Sequence, residues 1–135
     1  MIFFVSDLHL SAQTPTLTRI FLDFLGSRAR AAEALYILGD LFEYWVGDDD
    51  LEDPANAAIA GALRELSDSG VELNIMRGNR DFLFGERFAA ATGARLLTDP
   101  HVLSLPAWQF VLSHGDMLCT DDAEYQAFRT QSRAA

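Results

Sequence analysis

The chain has 135 residues, half of them apolar, 11% aromatic and 22% charged. That length suits one domain with a single core, and the apolar content excludes a disordered tail, a coiled coil and a disulfide-stapled miniprotein. Twenty Asp and Glu oppose ten Arg and no Lys, a formal net charge of -10, which argues against holding nucleic acid or an anionic membrane by bare electrostatics.

A site where bound cations reverse the sign locally remains open to such a chain. A lone cysteine, Cys119, cannot make an internal disulfide. The N-terminus lacks the basic flank of a signal peptide, and no apolar run reaches the roughly 20 residues of a spanning helix. A cytosolic location is expected, with no nucleic-acid partner and no obligate protein partner.

Short apolar runs alternate with longer amphipathic ones, the pattern of an α/β layered fold with a buried sheet. Ile2 to Ser6 reads as the first strand. Leu17, Ile20, Phe21, Phe24 and Leu25 then form one helical stripe, with Thr16 placed to cap it. Ala34 to Leu38 reads as the second strand, followed by an acidic loop as far as Asp53. Asp53 as N-cap with Pro54 behind it starts a second helix that carries Ile59, Leu63 and Leu66 and stops near Gly70. Val71 to Met76 is a third strand, and Gly85 to Thr92 a short helix closed by Gly93. Short strands follow at Ala94 to Leu97 and His101 to Leu105, then Trp108 to Ser113, and a final helical stretch from Asp121 to Arg133.

Four strands are each followed by a polar cluster: Asp7-Leu8-His9, Gly39-Asp40, Gly78-Asn79-Arg80-Asp81 and His114-Gly115-Asp116. Ligand sites in α/β sheets gather beyond the carboxyl ends of the strands, so clusters in that one position converge in space. Asp7 and His9, two apart in an extended chain, would point the same way and grip one ion. Asp40 is placed to bridge two ions, while Asn79 and His114 add an oxygen and an imidazole nitrogen. A donor set of oxygen and imidazole without thiolate favours Mn²⁺, Fe or Mg²⁺ over structural zinc. Two such ions, about 3.5 to 4 Å apart, lower the pKa of a shared water and clamp the oxygens of a phosphoryl displacement. Gly39, Gly78 and Gly115 suit tight turns and close backbone approach there.

Taken singly, each cluster also has an ordinary reading as a turn or a structural hydrogen bond; their joint order at four strand ends is what points to a metal site. The five acids within 48–53 lack the spacing of a calcium loop and read as a solvated loop. His101 reads as structural. Phe42, Tyr44 and Trp45 either belong to the core or wall the site.

The blocks D-x-H, G-D, G-N-x-D and H-G-D resemble the first four motifs of the calcineurin-like metallophosphoesterases. Their flanks, from Ser6-Asp7-Leu8-His9-Leu10 through Gly78-Asn79-Arg80-Asp81-Phe82 to Cys119-Thr120-Asp121-Asp122, are similar to the family that cleaves the diphosphate of UDP-2,3-diacylglucosamine in lipid A biosynthesis. Many superfamily members have a His where this chain has Arg80. Arg is not an acid at neutral pH but offers a fixed cationic fork to a phosphate, which suits a diphosphate substrate.

The resemblance implies a layered βαβ sandwich and attack of a metal-activated water on the α-phosphorus, giving UMP and 2,3-diacylglucosamine 1-phosphate. It further implies that Asp7, His9 and Asp40 hold one Mn²⁺ and Asp40, Asn79 and His114 the other. Asn79 and Arg80 would approach the phosphates and Asp122 the nucleotide or sugar. The family works as a peripheral protein on the cytoplasmic face of the inner membrane. It also continues for roughly a hundred residues more, with a late Gly-His-x-His motif and a helical cap. The expectation is therefore that residues 1–135 form the N-terminal part of one metallophosphoesterase domain, with a ligand missing from each metal, exposed apolar surface and little or no activity. The alternatives are another metallophosphoesterase, acting on a nucleotide or phosphoprotein, and a noncatalytic remnant.

Overall fold

The computed structural model describes residues 1–78 and 83–115. Four parallel strands, β1 (Ile2–Val5), β2 (Ala34–Ile37), β3 (Glu72–Met76) and β4 (Arg95–Leu97), lie side by side in chain order. They are joined by α1 (Pro15–Gly26), α2 (Pro54–Asp68) and α3 (Glu86–Thr92). A sheet whose parallel strands follow sequence order, with crossovers of one hand, puts every connecting helix on the same face. The alternation along the strands agrees: Leu35, Ile37, Leu73 and Ile75 pack in one cluster with Phe21 and Leu25 of α1, Ile59, Leu63 and Leu66 of α2, and Phe88 of α3. Each of these large apolar side chains contributes about 1.5–3 kcal/mol by leaving water.

The other face carries Ala34, Tyr36, Met76 and Leu97, covered by Leu103 and Leu112 from an antiparallel pair, β5 (His101–Ser104) and β6 (Gln109–Leu112). The described residues thus form three layers, helices over a parallel sheet over a two-stranded ribbon. The ribbon also exposes apolar side chains: Val102, Trp108 and Val111 are each more than half exposed, and Phe110 nearly so. The expectation of exposed apolar surface holds there.

Several local expectations are corrected. Helix α1 begins at Pro15 after Thr14, not at Thr16, because proline's fixed φ and missing N–H suit the first turn. Ile20 falls off its buried stripe and is 57% exposed. Strands β1 and β2 stop before Ser6 and Leu38, and β6 is shorter than the Trp108 to Ser113 run. The fourth polar cluster follows β6, which lies in the ribbon and not in the parallel sheet. Two 3-10 turns, Arg28–Ala31 and Asp48–Glu52, occupy segments that carry no helical periodicity. The expected helix from Asp121 to Arg133 lies outside the described residues.

The acidic run is no mere solvated loop. Asp48 accepts from the backbone N–H groups of Gly85 (3.1 Å) and Phe88 (3.0 Å) and from the Trp45 indole N–H (3.2 Å), so it caps α3 from a distance. Asp50 accepts from the Val46 N–H, and Asp53 caps α2 as expected. Phe42 and Trp45 are core residues, stacked on each other at 4.8 Å and packed against Phe84 and Phe88, whereas Tyr44 is 69% exposed.

Candidate metal centre

Beyond the ends of β1 and β2 the two chains do not diverge. Backbone bonds continue the pairing, from Leu38 N–H to Val5 O, Asp7 N–H to Gly39 O, His9 N–H to Asp40 O, Leu10 N–H to Leu41 O and Glu43 N–H to Leu10 O. This zipper of two loops sets Asp7 and His9 beside Asp40. It does so without extended chain: Asp7, His9 and Asp40 all have positive φ, 56°, 49° and 52°, and are the only non-glycine residues among those described to do so. The expectation of an extended Asp7-Leu8-His9 is corrected. Left-handed backbone costs roughly 1–2 kcal/mol at each such residue, and three instances at one place mark a site that the surrounding fold over-determines.

Asp40 is the centre of the group. It is 3% exposed, and its Oδ2 lies 3.5 Å from His9 Nε2 and 3.4 Å from His114 Nε2. Asp7, Asp40 and His114 offer one ligand atom each within 4.8 Å of one another. His9 lies outside that group of three but beside it, its Nε2 3.8 Å from Asp7 Oδ1 and 3.5 Å from Asp40 Oδ2. A buried carboxylate oxygen facing two imidazole nitrogens, with a second carboxylate alongside, is a donor set suited to divalent cations.

His114 presents a fixed edge. Its Nδ1 is 2.9 Å from the Leu38 carbonyl, which can only accept, so Nδ1 carries the proton and Nε2 faces Asp40. The hydrogen bond to Asp40 is the largest cause that raises the imidazole pKa from 6.5 to about 9; burial opposes it, and the Leu38 carbonyl and the charges of Asp40 and Asp7 add to it.

Two glycines make the convergence sterically feasible. A Cβ on Gly78 would collide with the backbone nitrogen and carboxylate of Asp40. A Cβ on Gly39, where φ is +100°, would come within 2.7 Å of His114 Nδ1. Gly115 also has positive φ, but a Cβ there meets nothing, so it serves the turn alone.

Asn79, Arg80, Asp116, Cys119 and Asp122 lie outside the described residues. His101 sits in β5 opposite Leu112 and is not in the ligand group. Glu43 was not singled out by the motif, yet its Oε2 lies 3.1 Å from His9 Nδ1. In the sequence it stands three residues after Asp40, at the end of the stretch Gly39-Asp40-Leu41-Phe42-Glu43. No described helix is long and apolar enough to cross a membrane.

No family model matches the chain. It is 55% identical over 130 residues to the UDP-2,3-diacylglucosamine hydrolase of Stenotrophomonas maltophilia, covering 96% of this chain and 52% of that protein. To the enzyme of that name from Ectopseudomonas mendocina it is 55% identical over 129 residues, 96% of this chain and 53% of the relative. Among solved structures it superimposes on the Pseudomonas putida nuclease MPE with a TM-score of 0.57 at 25% identity, over 75% of this chain and 49% of that one. A protein of unknown function from Aquifex aeolicus shares the fold, with a TM-score of 0.53 at 14% identity. Along nearly its whole length the chain is homologous to the UDP-2,3-diacylglucosamine hydrolases, within the metallophosphoesterase fold, and it spans about half the length of the curated relatives it matches.

Proposed function

We propose that this chain supplies the cation-binding, phosphate-facing part of a hydrolase that cleaves the diphosphate of UDP-2,3-diacylglucosamine into UMP and 2,3-diacylglucosamine 1-phosphate. The observation that carries the reading is Asp40 Oδ2, buried and faced by the Nε2 atoms of His9 and His114. In this reading Asp7, His9 and Asp40 hold one divalent cation, and Asp40, Asn79 and His114 the other. Mn²⁺ is the proposed ion, with Mg²⁺ or Fe as alternatives of similar ligand preference.

Bound cations supply Lewis-acid stabilisation of phosphoryl charge and a more acidic water. The chain's own residues do the rest. Asp7 and Asp40 bring the negative charge that draws two cations together. His114 would offer Nε2 as a ligand once that nitrogen is deprotonated, while Nδ1 keeps its proton and donates it to the Leu38 carbonyl. Arg80 and Asn79 hold the phosphates, and Asp122 contacts the nucleotide or sugar. Residues 1–135 act as the N-terminal part of one metallophosphoesterase domain, peripheral on the cytoplasmic face of the inner membrane where the lipid substrate resides.

The test compares Mn²⁺-dependent release of UMP from UDP-2,3-diacylglucosamine with cleavage of a generic aryl phosphodiester, which the likeness to a nuclease makes the informative competitor. Any turnover by this chain is expected to be slow, to favour the diphosphate and to vanish in Asp40→Ala. Preference for the aryl ester overturns the substrate, and fast turnover overturns the expectation of a partial site. Unchanged Mn²⁺ binding in Asp40→Ala overturns the metal centre and leaves the noncatalytic remnant.

A further inference from the structure

Asn79 and Arg80, the residues read as facing the phosphates, stand in the sequence between two points that the fold fixes. The first is Gly78, packed so close to Asp40 that a Cβ there would collide with the Asp40 backbone nitrogen and carboxylate. The second is the peptide group joining Phe84 to Gly85, just before α3.

Opposite charges grip the two polar atoms of that peptide. Its carbonyl oxygen accepts from Nε and Nη2 of Arg77, at 2.9 and 2.6 Å. Its N–H donates to Oδ1 of Asp48 at 3.1 Å, while Oδ2 of the same carboxylate takes the Phe88 N–H at 3.0 Å. A guanidinium on the oxygen and a carboxylate on the nitrogen both complement the peptide dipole, and hydrogen bonds to charged groups are the stronger kind. Packing holds the same spot. Phe84 is 1% exposed with its ring stacked on Phe88 at 4.0 Å, and a Cβ on Gly85 would come within 2.8 Å of Asp48 Oδ2.

Asp48 alone serves the N–H groups at the start of α3. The Arg77 fork instead ties the residue before Gly78 to the carbonyl of Phe84, across the two ends of the segment that carries Asn79 and Arg80. Fixing the ends of a binding segment before its ligand arrives cuts the ordering cost of binding. We propose that Arg77 and Asp48 are positioning residues: together they fix the Phe84–Gly85 peptide and so set where Asn79 and Arg80 meet a phosphate. The inference rests on the reading of those two residues as phosphate-facing, but the clamp itself is measurable without a ligand.

In a ¹H–¹⁵N spectrum of the labelled, ligand-free chain, Arg77 is expected to show an Nε–H protected from exchange and separate Nη resonances, the mark of a guanidinium that does not rotate. Calorimetric titration with UMP at saturating Mn²⁺, well below the melting temperature, then reads the purpose. Arg77→Met should weaken UMP binding at least ~10-fold. Asp48→Ala should weaken it as well, although removing a negative charge would strengthen anion binding if charge alone counted. The double variant should bind little worse than the weaker single one, since both act on one peptide. Leu63→Ala, a core change in α2, should leave UMP affinity within about twofold, which tells lost position from lost folding. A freely exchanging Arg77 Nε–H, or UMP affinity unmoved by Arg77→Met or by Asp48→Ala, overturns the proposal, as does equal weakening by Leu63→Ala. No UMP binding by the unaltered chain, with the Arg77 resonances as expected, overturns the phosphate reading, and the positioning role falls with it while the clamp stands.

Discussion

Proton binding at His114 gives the sharpest quantitative handle on the centre. In the metal-free chain the imidazole holds its proton to about pH 9, against 6.5 unperturbed, chiefly through the hydrogen bond to Asp40. A group whose pKa rises on folding adds stability that is fully present below the unfolded pKa and disappears as pH climbs through the folded one. The stabilisation here is therefore complete below about 6.5 and falls away toward 9. Its size is on the order of 3 kcal/mol, at about 1.4 kcal/mol for each pH unit separating the two values. The His114 side chain is 7% exposed, but its surroundings are only half buried, so solvent screening makes that figure an upper bound.

The Cε1–H resonance of His114 should titrate near pH 9. Urea unfolding between pH 6 and 9.5 should lose stability relative to His114→Asn, which lacks the ionisable ring. At pH 7 a divalent cation that uses Nε2 must displace this proton. Its affinity should then rise about tenfold per pH unit up to about 9 and calorimetry should count close to one proton released per ion. A midpoint at or below 6.5, or equal pH slopes in the two proteins, would refute the reasoning from Asp40.

Gly78→Ala should lower stability by about 1–3 kcal/mol in a thermal melt and weaken Mn²⁺ binding as well, because the new methyl drives into the Asp40 backbone. Asp48→Ala should cost about 2–3 kcal/mol by urea titration, since it strips an acceptor from the Gly85 and Phe88 N–H groups at the start of α3 and from the Trp45 indole; Trp45 fluorescence should report the change. Asp49→Ala, one residue along, should stay within about 0.5 kcal/mol, because its side chain is 93% exposed and pairs with Arg87 only at the surface. Leu63→Ala, fully buried between α2 and the sheet, should cost about 2–5 kcal/mol by the same titration.

The sequence by itself determined the alternation of strands and helices, since buried Leu35, Ile37, Leu73 and Ile75 and the α2 stripe of Ile59, Leu63 and Leu66 repeat with the periods of the elements they form. It also singled out Asp7, Asp40 and His114, each a ligand type after a strand, which the fold brings within 4.8 Å of one another. Only tertiary structure decided how they meet. The pairing of the 6–10 and 38–43 loops, and the left-handed backbone of Asp7, His9 and Asp40, depend on hydrogen bonds between segments some thirty residues apart, to which local periodicity is blind. The same holds for His114, delivered by a ribbon outside the parallel sheet, and for Asp48, a cap that lies 37 residues before the helix it serves. Glu43 is the clearest case. Its neighbours in sequence are Phe42, which is core, and Tyr44, which faces solvent, and nothing but the folded backbone brings its carboxylate to His9.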